Sequence, residues 1–100
     1  MAIRICVLLW RTDAPIERLR AYEDAVLALL PEYEGRVLQR LAIDAAGDEP
    51  CEVQVIEFAS AQHLDDFMHD DRRLALADER EATVLRTQVL HVEDVQRAGY

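Results

Sequence analysis

The first ten residues contain a strand pattern in which both faces are apolar. Isoleucine, valine or leucine stands at every odd position of residues 3–9, the two-residue period that a β-strand requires. Most of the intervening positions are apolar as well. The two faces are Ile3, Ile5, Val7 and Leu9 on one side, and Arg4, Cys6, Leu8 and Trp10 on the other. A strand of this kind is buried on both sides, so one layer of helices does not suffice to cover its sheet.

The rest of the chain alternates between helical and strand periods. Residues 12–15 supply cap candidates and an early proline, which predicts a helix start, and Pro31 with Gly35 predicts its end. Ser60 is a predicted N-cap of a second helix, and Asp70-Asp71 predicts a break and a restart to about Ala82. The predicted apolar stripes are Ile16, Leu19, Val26, Leu27 and Leu30 in the first helix, and Leu64, Phe67 and Met68 in the second. The further strands are predicted over residues 36–43, 52–58 and 83–92.

This β-α-β-β-α-β order predicts a ferredoxin-like α+β fold. Short connections and right-handed crossovers give one four-stranded antiparallel sheet of order 4-1-3-2, with both helices on one face. We expect residues 1–94 to form a single domain and residues 95–100 a tail. Because the first strand is apolar on both faces, we also expect a homodimer that packs sheet against sheet.

Composition narrows the possible functions. The 100 residues suit one domain, and 20 acids against 11 bases give a net charge of −9, which disfavours nucleic acid and anionic membranes as partners. Every base is arginine; lysine and asparagine are absent from the sequence. There is no apolar run of about 18 residues and no signal-peptide pattern, so we expect a cytoplasmic protein. Cys6 and Cys51 fit no metal or redox spacing and are expected to be reduced thiols.

Several segments together resemble a known family. They are Glu52–Ser60 with the sequence EVQVIEFAS, Phe67, Arg80-Glu81-Ala82, Val92-Glu93, and Gly35-Arg36-Val37-Leu38 with Arg40. Over roughly residues 3–94 the chain resembles uncharacterised small bacterial domains of the dimeric α/β-barrel superfamily, which are related to antibiotic-biosynthesis-monooxygenase domains. The resemblance implies a dimer whose two sheets close a barrel with the helices outside. It also implies relatives among cofactorless monooxygenases, haem-degrading enzymes and small isomerases or cyclases. The first two groups typically use an asparagine near a strand, which this chain lacks.

The charges are distributed unevenly. The helical segments and the turn before residue 52 are acidic, whereas arginines fall within the strands. If even positions share a face in all four strands, that face collects Arg36, Arg40, Gln54, Phe58, Arg86 and Gln88. Two interpretations remain open: cross-subunit salt bridges inside a dimer, or a site in which Arg36 or Arg40 orients a small organic anion.

The topology suggests a second group of candidates. One end of the sheet is expected to gather Glu57, His91 and Arg36, with Tyr33 close by. His63, in the first turn of the second helix, is expected there too, as a ligand-binding residue beside Arg36 and Arg40. Glu57 and His91 are predicted to flank the first strand on one face, roughly 10 Å apart, where they would act as base and acid on a small substrate. The alternative is a structural pair between Glu57 and Arg36, with a half-exposed histidine.

No motif predicts a cofactor or a metal. His63 and His69 lie about 240° apart around a helix, and Asp65 with His69 supplies only two ligands. The sequence therefore leaves three functions open: a small-molecule site between sheet and helices, a dimeric binding or structural module without turnover, and a monooxygenase or haem-degrading enzyme by analogy.

Overall fold

The computed structural model describes residues 1–95. Residues 96–100, most of the predicted tail, lie outside the described part of the chain. The elements are β1 (Ile3–Arg11), α1 (Ile16–Leu27), a 3-10 helix (Leu30–Tyr33), β2 (Gly35–Ala42), β3 (Glu52–Phe58), α2 (Ala61–Met68), α3 (Asp71–Leu74), α4 (Ala77–Thr83) and β4 (Val84–Val92).

The four strands form one antiparallel sheet in the order β2-β3-β1-β4. This arrangement confirms the predicted strand order and the ferredoxin-like α+β fold. Apolar side chains of β1 and β3 pack with those of α1 and α2 in one core cluster. We call the sheet surface that meets the helices the inner face, and the opposite surface the open face.

β1 shows the predicted division between the two faces. Ile5, Val7 and Leu9 are at most 8% exposed and belong to the core, whereas Leu8 and Trp10 are half-buried on the open face. The odd positions of β1 therefore face the helices as the alternation predicts. Because no helix covers the open face in the described chain, its apolar side chains stay partly accessible.

The prediction for β3 is wrong about which residues face the helices. Residues directly opposite each other in an antiparallel pair share a face. Gln54 lies opposite Val7 and Phe58 lies opposite Ile3, so both belong to the inner face, where they are 1% and 0% exposed. Even numbering does not carry a face from one strand to the next, because the register of pairing sets the face.

A β-bulge overturns the prediction for Arg40. Arg36 lies opposite Glu57 on the open face, as expected, but Arg40 lies opposite Gln54 on the inner face. The register shifts between Val37 and Gln39, which inserts one extra residue and reverses the alternation. In β4 the prediction holds: Arg86 lies opposite Trp10 and Gln88 opposite Leu8, both on the open face.

Two helix starts follow the predicted caps, whereas α1 ends at Leu27, before the predicted end at Pro31 and Gly35, and a short 3-10 helix follows it. The Ser60 hydroxyl accepts a hydrogen bond from the backbone N–H of His63, and the Asp70 carboxylate accepts from those of Arg72 and Arg73. The predicted restart after Asp70 is divided into two short helices, α3 and α4. Within the predicted stripe of α2, Phe67 is buried whereas Met68 is 38% exposed.

Two further observations concern the described residues. None of their helices is both long and apolar enough to span a membrane. Both cysteines are free: Cys51 is buried in the core, and Cys6 is half-buried on the open face.

Candidate functional site

A cavity of about 320 Å³ lies between the inner face of the sheet and the helices. Inward side chains of β1, β3 and β4 form one wall, and α1 and α2 form much of the other. Most of the lining is apolar. The polar lining residues are Tyr22, Glu23, Gln54, Arg73, Arg80 and Thr87. We call this space the inner cavity.

Glu23 on α1 provides the only carboxyl group among the described residues that line the inner cavity. Its side chain is buried, and its Oε1 accepts a hydrogen bond of 2.8 Å from the Gln54 amide. Its Oε2 has no hydrogen-bond partner among the described residues. Burial raises the pKa of Glu23, and the bond from Gln54 opposes part of that rise. Such a carboxyl exchanges protons nearer to neutral pH than an exposed one does.

Gln54 is held in place by a second buried carboxylate. Its amide nitrogen also donates to Glu52 Oε2 at 2.8 Å, and Glu52 is 1% exposed. Two arginines neutralise Glu52: Arg20 Nε lies 2.7 Å from Oε1, and Arg40 Nε lies 2.7 Å from Oε2. Since each carboxylate oxygen of Glu52 faces a cation, this residue is a fixed acceptor that orients the Gln54 amide toward Glu23.

Tyr22 adds a neutral phenol to the same cavity. Its side chain is 5% exposed, and its hydroxyl has no hydrogen-bond partner among the described residues. Burial, with a smaller contribution from Glu23, raises the pKa of Tyr22, while Arg73 and Arg80 act against that rise. The phenol therefore stays protonated at neutral pH and is available as a hydrogen-bond donor.

Two arginines of the inner cavity have no carboxylate partner within the described residues. Arg73 lies over the Phe67 ring, 5.6 Å from its centroid, and donates to the Met68 carbonyl, while its Nε is buried without a partner. Arg80 makes one long contact of 3.4 Å to the Thr87 hydroxyl. A guanidinium group without an acidic neighbour is suited to an anion.

The residues predicted from sequence lie elsewhere. Glu57 and His91 both line an open depression of about 490 Å³ at the end of the sheet. Glu57 pairs with Arg4 across β1, whereas His91 pairs with Ile5, so the two residues project from opposite faces. The prediction that they share a face, within a pocket between sheet and helices, is therefore wrong. A catalytic role for either residue stays a prediction.

The predicted anion-binding residues are already engaged with protein groups. Arg36 bonds Glu57 at 2.9 Å, the structural alternative given above, and Arg40 bonds Glu52. His63 lies in the first turn of α2 as expected, with Nδ1 2.7 Å from Ser60 Oγ and Nε2 2.7 Å from Glu34 Oε2. His63 is not among the described lining residues of the inner cavity.

Sequence reasoning missed Glu23 and placed Gln54 on the wrong face, although a signal was present. Leu19, Glu23 and Val26 follow the i, i+4, i+7 spacing, so Glu23 interrupts the apolar stripe with a carboxylate. Gln54 similarly occupies an inward position of β3, two residues before buried Ile56. A polar residue at such a position needs a buried partner, and here the two residues provide one for each other.

Solved structures with a ferredoxin-like fold are similar to this chain. The sequence matches no family model and no curated protein. A dimeric ferredoxin-like protein of unknown function from Bacteroides fragilis has a TM-score of 0.65 at 14% identity, over 93% of this chain and 96% of that chain. A DABB family protein with a ferredoxin-like fold from Mesorhizobium loti has a TM-score of 0.67 at 15% identity, over 95% and 98%.

A third solved structure has an assigned activity. It is SnoaB, a cofactor-independent oxygenase from Streptomyces nogalater, with a TM-score of 0.70 at 10% identity, over 99% of this chain and 98% of that chain. At such low identities the likeness concerns the fold alone. At that level the three structures confirm the ferredoxin-like fold.

Proposed function

We propose that this chain binds a small organic anion with an apolar body in the inner cavity. The observation that carries the proposal is a cavity with mostly apolar walls that is also lined by Arg73 and Arg80. Neither arginine has a carboxylate partner among the described residues. A carboxylate ligand satisfies both guanidinium groups, and the core side chains enclose its apolar part.

The dimensions of the cavity support a small ligand. Small-molecule sites occupy roughly 300–1,000 Å³, and the inner cavity of about 320 Å³ lies at the lower end of that range. A purely structural module fills the space between its helices and sheet, because an empty apolar cavity forfeits packing energy. The open space therefore favours ligand binding over a module that is only structural.

We further propose that two chains associate through their open faces. This surface carries half-buried Leu8 and Trp10, with Leu41, Leu90 and Val92 between 37% and 46% exposed. Register places these side chains on one side of the sheet. An apolar surface of this kind is typical of an interface, and the Bacteroides fragilis structure is described as dimeric.

Titration calorimetry with 3-phenylpropionate tests the binding site. We expect binding of the carboxylate, little binding of the neutral 3-phenylpropanamide, and a loss of roughly tenfold or more for Arg73→Ala with Arg80→Ala. Arg36→Ala is the matched control, since Arg36 lies at the open face and leaves the cavity intact. Thermal unfolding of each variant verifies that it folds.

Two results would contradict the proposal. One is equal binding of acid and amide, which means that no arginine recognises the charge. The other is a loss of binding in Arg36→Ala but not in the double variant, which moves the site to the end of the sheet.

A further inference from the structure

The inner cavity combines three groups that proton-transfer chemistry requires. Glu23 supplies a carboxylate with one oxygen held by Gln54 and the other without a partner among the described residues. Tyr22 supplies a phenol donor, and Arg73 with Arg80 supplies an anchor for an anion. Each of these groups lines the same space of about 320 Å³, within reach of one small molecule.

We propose that the chain catalyses keto–enol tautomerisation of small 2-oxo carboxylates with an apolar substituent, using Glu23 as the base and Tyr22 as the acid. This inference rests on the anion binding proposed above. The carboxylate of such a substrate meets Arg73 and Arg80, and its apolar group packs against the core side chains that line the cavity. Its acidic C–H then lies beside the carbonyl group that must be polarised.

The reaction is an isomerisation that needs no oxidant or cofactor. Glu23 Oε2 removes the proton from the carbon next to the carbonyl, and the electron pair of that C–H bond forms the carbon–carbon double bond. The carbonyl π electrons move to oxygen, which takes the hydroxyl proton of Tyr22. Proton transfer from Glu23 to the resulting phenolate restores both residues, so atoms and charge balance.

The surrounding residues explain why this carboxyl suits the task. Little water reaches a buried side chain, so the Glu23 carboxylate is poorly solvated and is a stronger base than an exposed glutamate. Glu52, which is fixed by Arg20 and Arg40, keeps the Gln54 amide directed at one oxygen of Glu23. Gln54 is thus a positioning residue that leaves the second oxygen for the substrate.

Phenylpyruvate is the probe for the experiment. Its methylene protons exchange with solvent only through the enol or enolate, so their loss in D₂O, followed by proton NMR, measures proton abstraction. We expect the wild-type chain to accelerate exchange over buffer, Glu23→Gln to reduce this acceleration by roughly a hundredfold, and Tyr22→Phe to reduce it by roughly tenfold. Glu17→Gln, on the exposed side of the same helix, is the matched control and should exchange like the wild type.

Binding of 3-phenylpropionate, which has no acidic C–H beside a ketone, separates the two proposals. Glu23→Gln should bind it within a few-fold of the wild type, which shows that the variant folds and keeps its anion site. Wild-type binding without accelerated exchange overturns the tautomerisation and leaves the binding proposal standing. Absence of binding overturns the binding proposal itself. Exchange that survives in Glu23→Gln but is lost in Glu57→Gln also overturns the inference and restores the sheet-end site.

Discussion

The two faces of the sheet differ in how their charged side chains are buried and paired. On the inner face, buried Glu23, Gln54 and Glu52 are joined by hydrogen bonds through the Gln54 amide. Glu52 in turn forms ion pairs with Arg20 and Arg40. On the open face, Arg4 and Arg36 both form ion pairs with Glu57. The guanidinium carbon of Arg86 lies over the Trp10 ring, 4.3 Å from its centroid. The charged groups of the inner face find their partners within one chain. The open face, in contrast, leaves apolar side chains accessible. This difference is the basis for the proposed ligand site on the inner face and the proposed dimer surface on the open face.

Neighbouring leucines in β1 give the largest test of this difference. Leu9 is 2% exposed on the inner face, so Leu9→Ala should lower the free energy of unfolding by about 3–4 kcal/mol. Leu8→Ala, one position away on the open face, should cost less, and its effect should depend on protein concentration because it weakens the dimer. Urea unfolding at two protein concentrations measures both. Equal costs that are independent of concentration would remove the distinction between the faces.

Substitution of two glutamates of β3 compares the ion pairs on the two faces. Glu52 is 1% exposed, so Glu52→Gln removes a buried carboxylate, leaving half-buried Arg20 without its partner and Arg40 with Asp24 alone, and should cost about 2–3 kcal/mol. Glu57→Gln removes a more accessible partner of Arg4 and Arg36 and should cost no more than about 1 kcal/mol. Chemical denaturation compares the two variants, and a larger loss for Glu57→Gln would reverse the roles assigned to the faces.

A charge on the open face should separate the subunits. Leu90 is 42% exposed in one chain and is expected to be covered in the dimer, so Leu90→Glu should weaken association by roughly thirtyfold, or about 2 kcal/mol. Leu74→Glu is the control, since Leu74 is exposed on α3 away from the open face. Light scattering should detect monomer for the first variant and dimer for the second. A wild-type monomer at all concentrations contradicts the dimer.

The smallest expected effect is the pH dependence caused by Glu23. Its pKa is raised on folding, so the folded chain holds this proton more tightly than the unfolded chain does. Ionisation of Glu23 therefore lowers the free energy of unfolding as the pH rises from 4.5, the ordinary pKa of glutamate, through the higher pKa of Glu23 in the folded chain. Relative to Glu23→Gln, the wild type should lose stability across this range, with Glu17→Gln following the wild type. A difference that does not change with pH would mean that Glu23 is not buried.

The sequence was sufficient to predict the architecture, because the alternation in β1 and the order of helical and strand periods allow few topologies. It was not sufficient to assign faces beyond β1. The bulge between Val37 and Gln39 moves Arg40 to the inner face, and the register of β3 does the same for Gln54. Both depend on pairing between strands, which residue spacing within one strand does not specify.

The candidate site was harder to predict for a related reason. Glu57 and His91 were selected because the topology brings their strand ends together, and they do line one depression. The strand register, however, places Glu57 on the open face and His91 on the inner face. Glu23 was overlooked because an acidic residue on an acidic helix is ordinarily solvated. The spacing of Glu23 with Leu19 and Val26 indicates a buried position, but its partner Gln54 is identified only by the structure.

Chemical-shift mapping of 3-phenylpropionate on the ¹⁵N-labelled chain tests most directly whether the ligand binds on the inner face of the sheet and not on the open face. We expect amide shifts that cluster around the inner cavity, in α1 near Tyr22 and Glu23, in β3 near Gln54 and in α3 near Arg73. The amides of Leu90 and Trp10 should change little. Shifts concentrated on β4 and β1 residues of the open face, or around Glu57 and His91 at the sheet end, would contradict it.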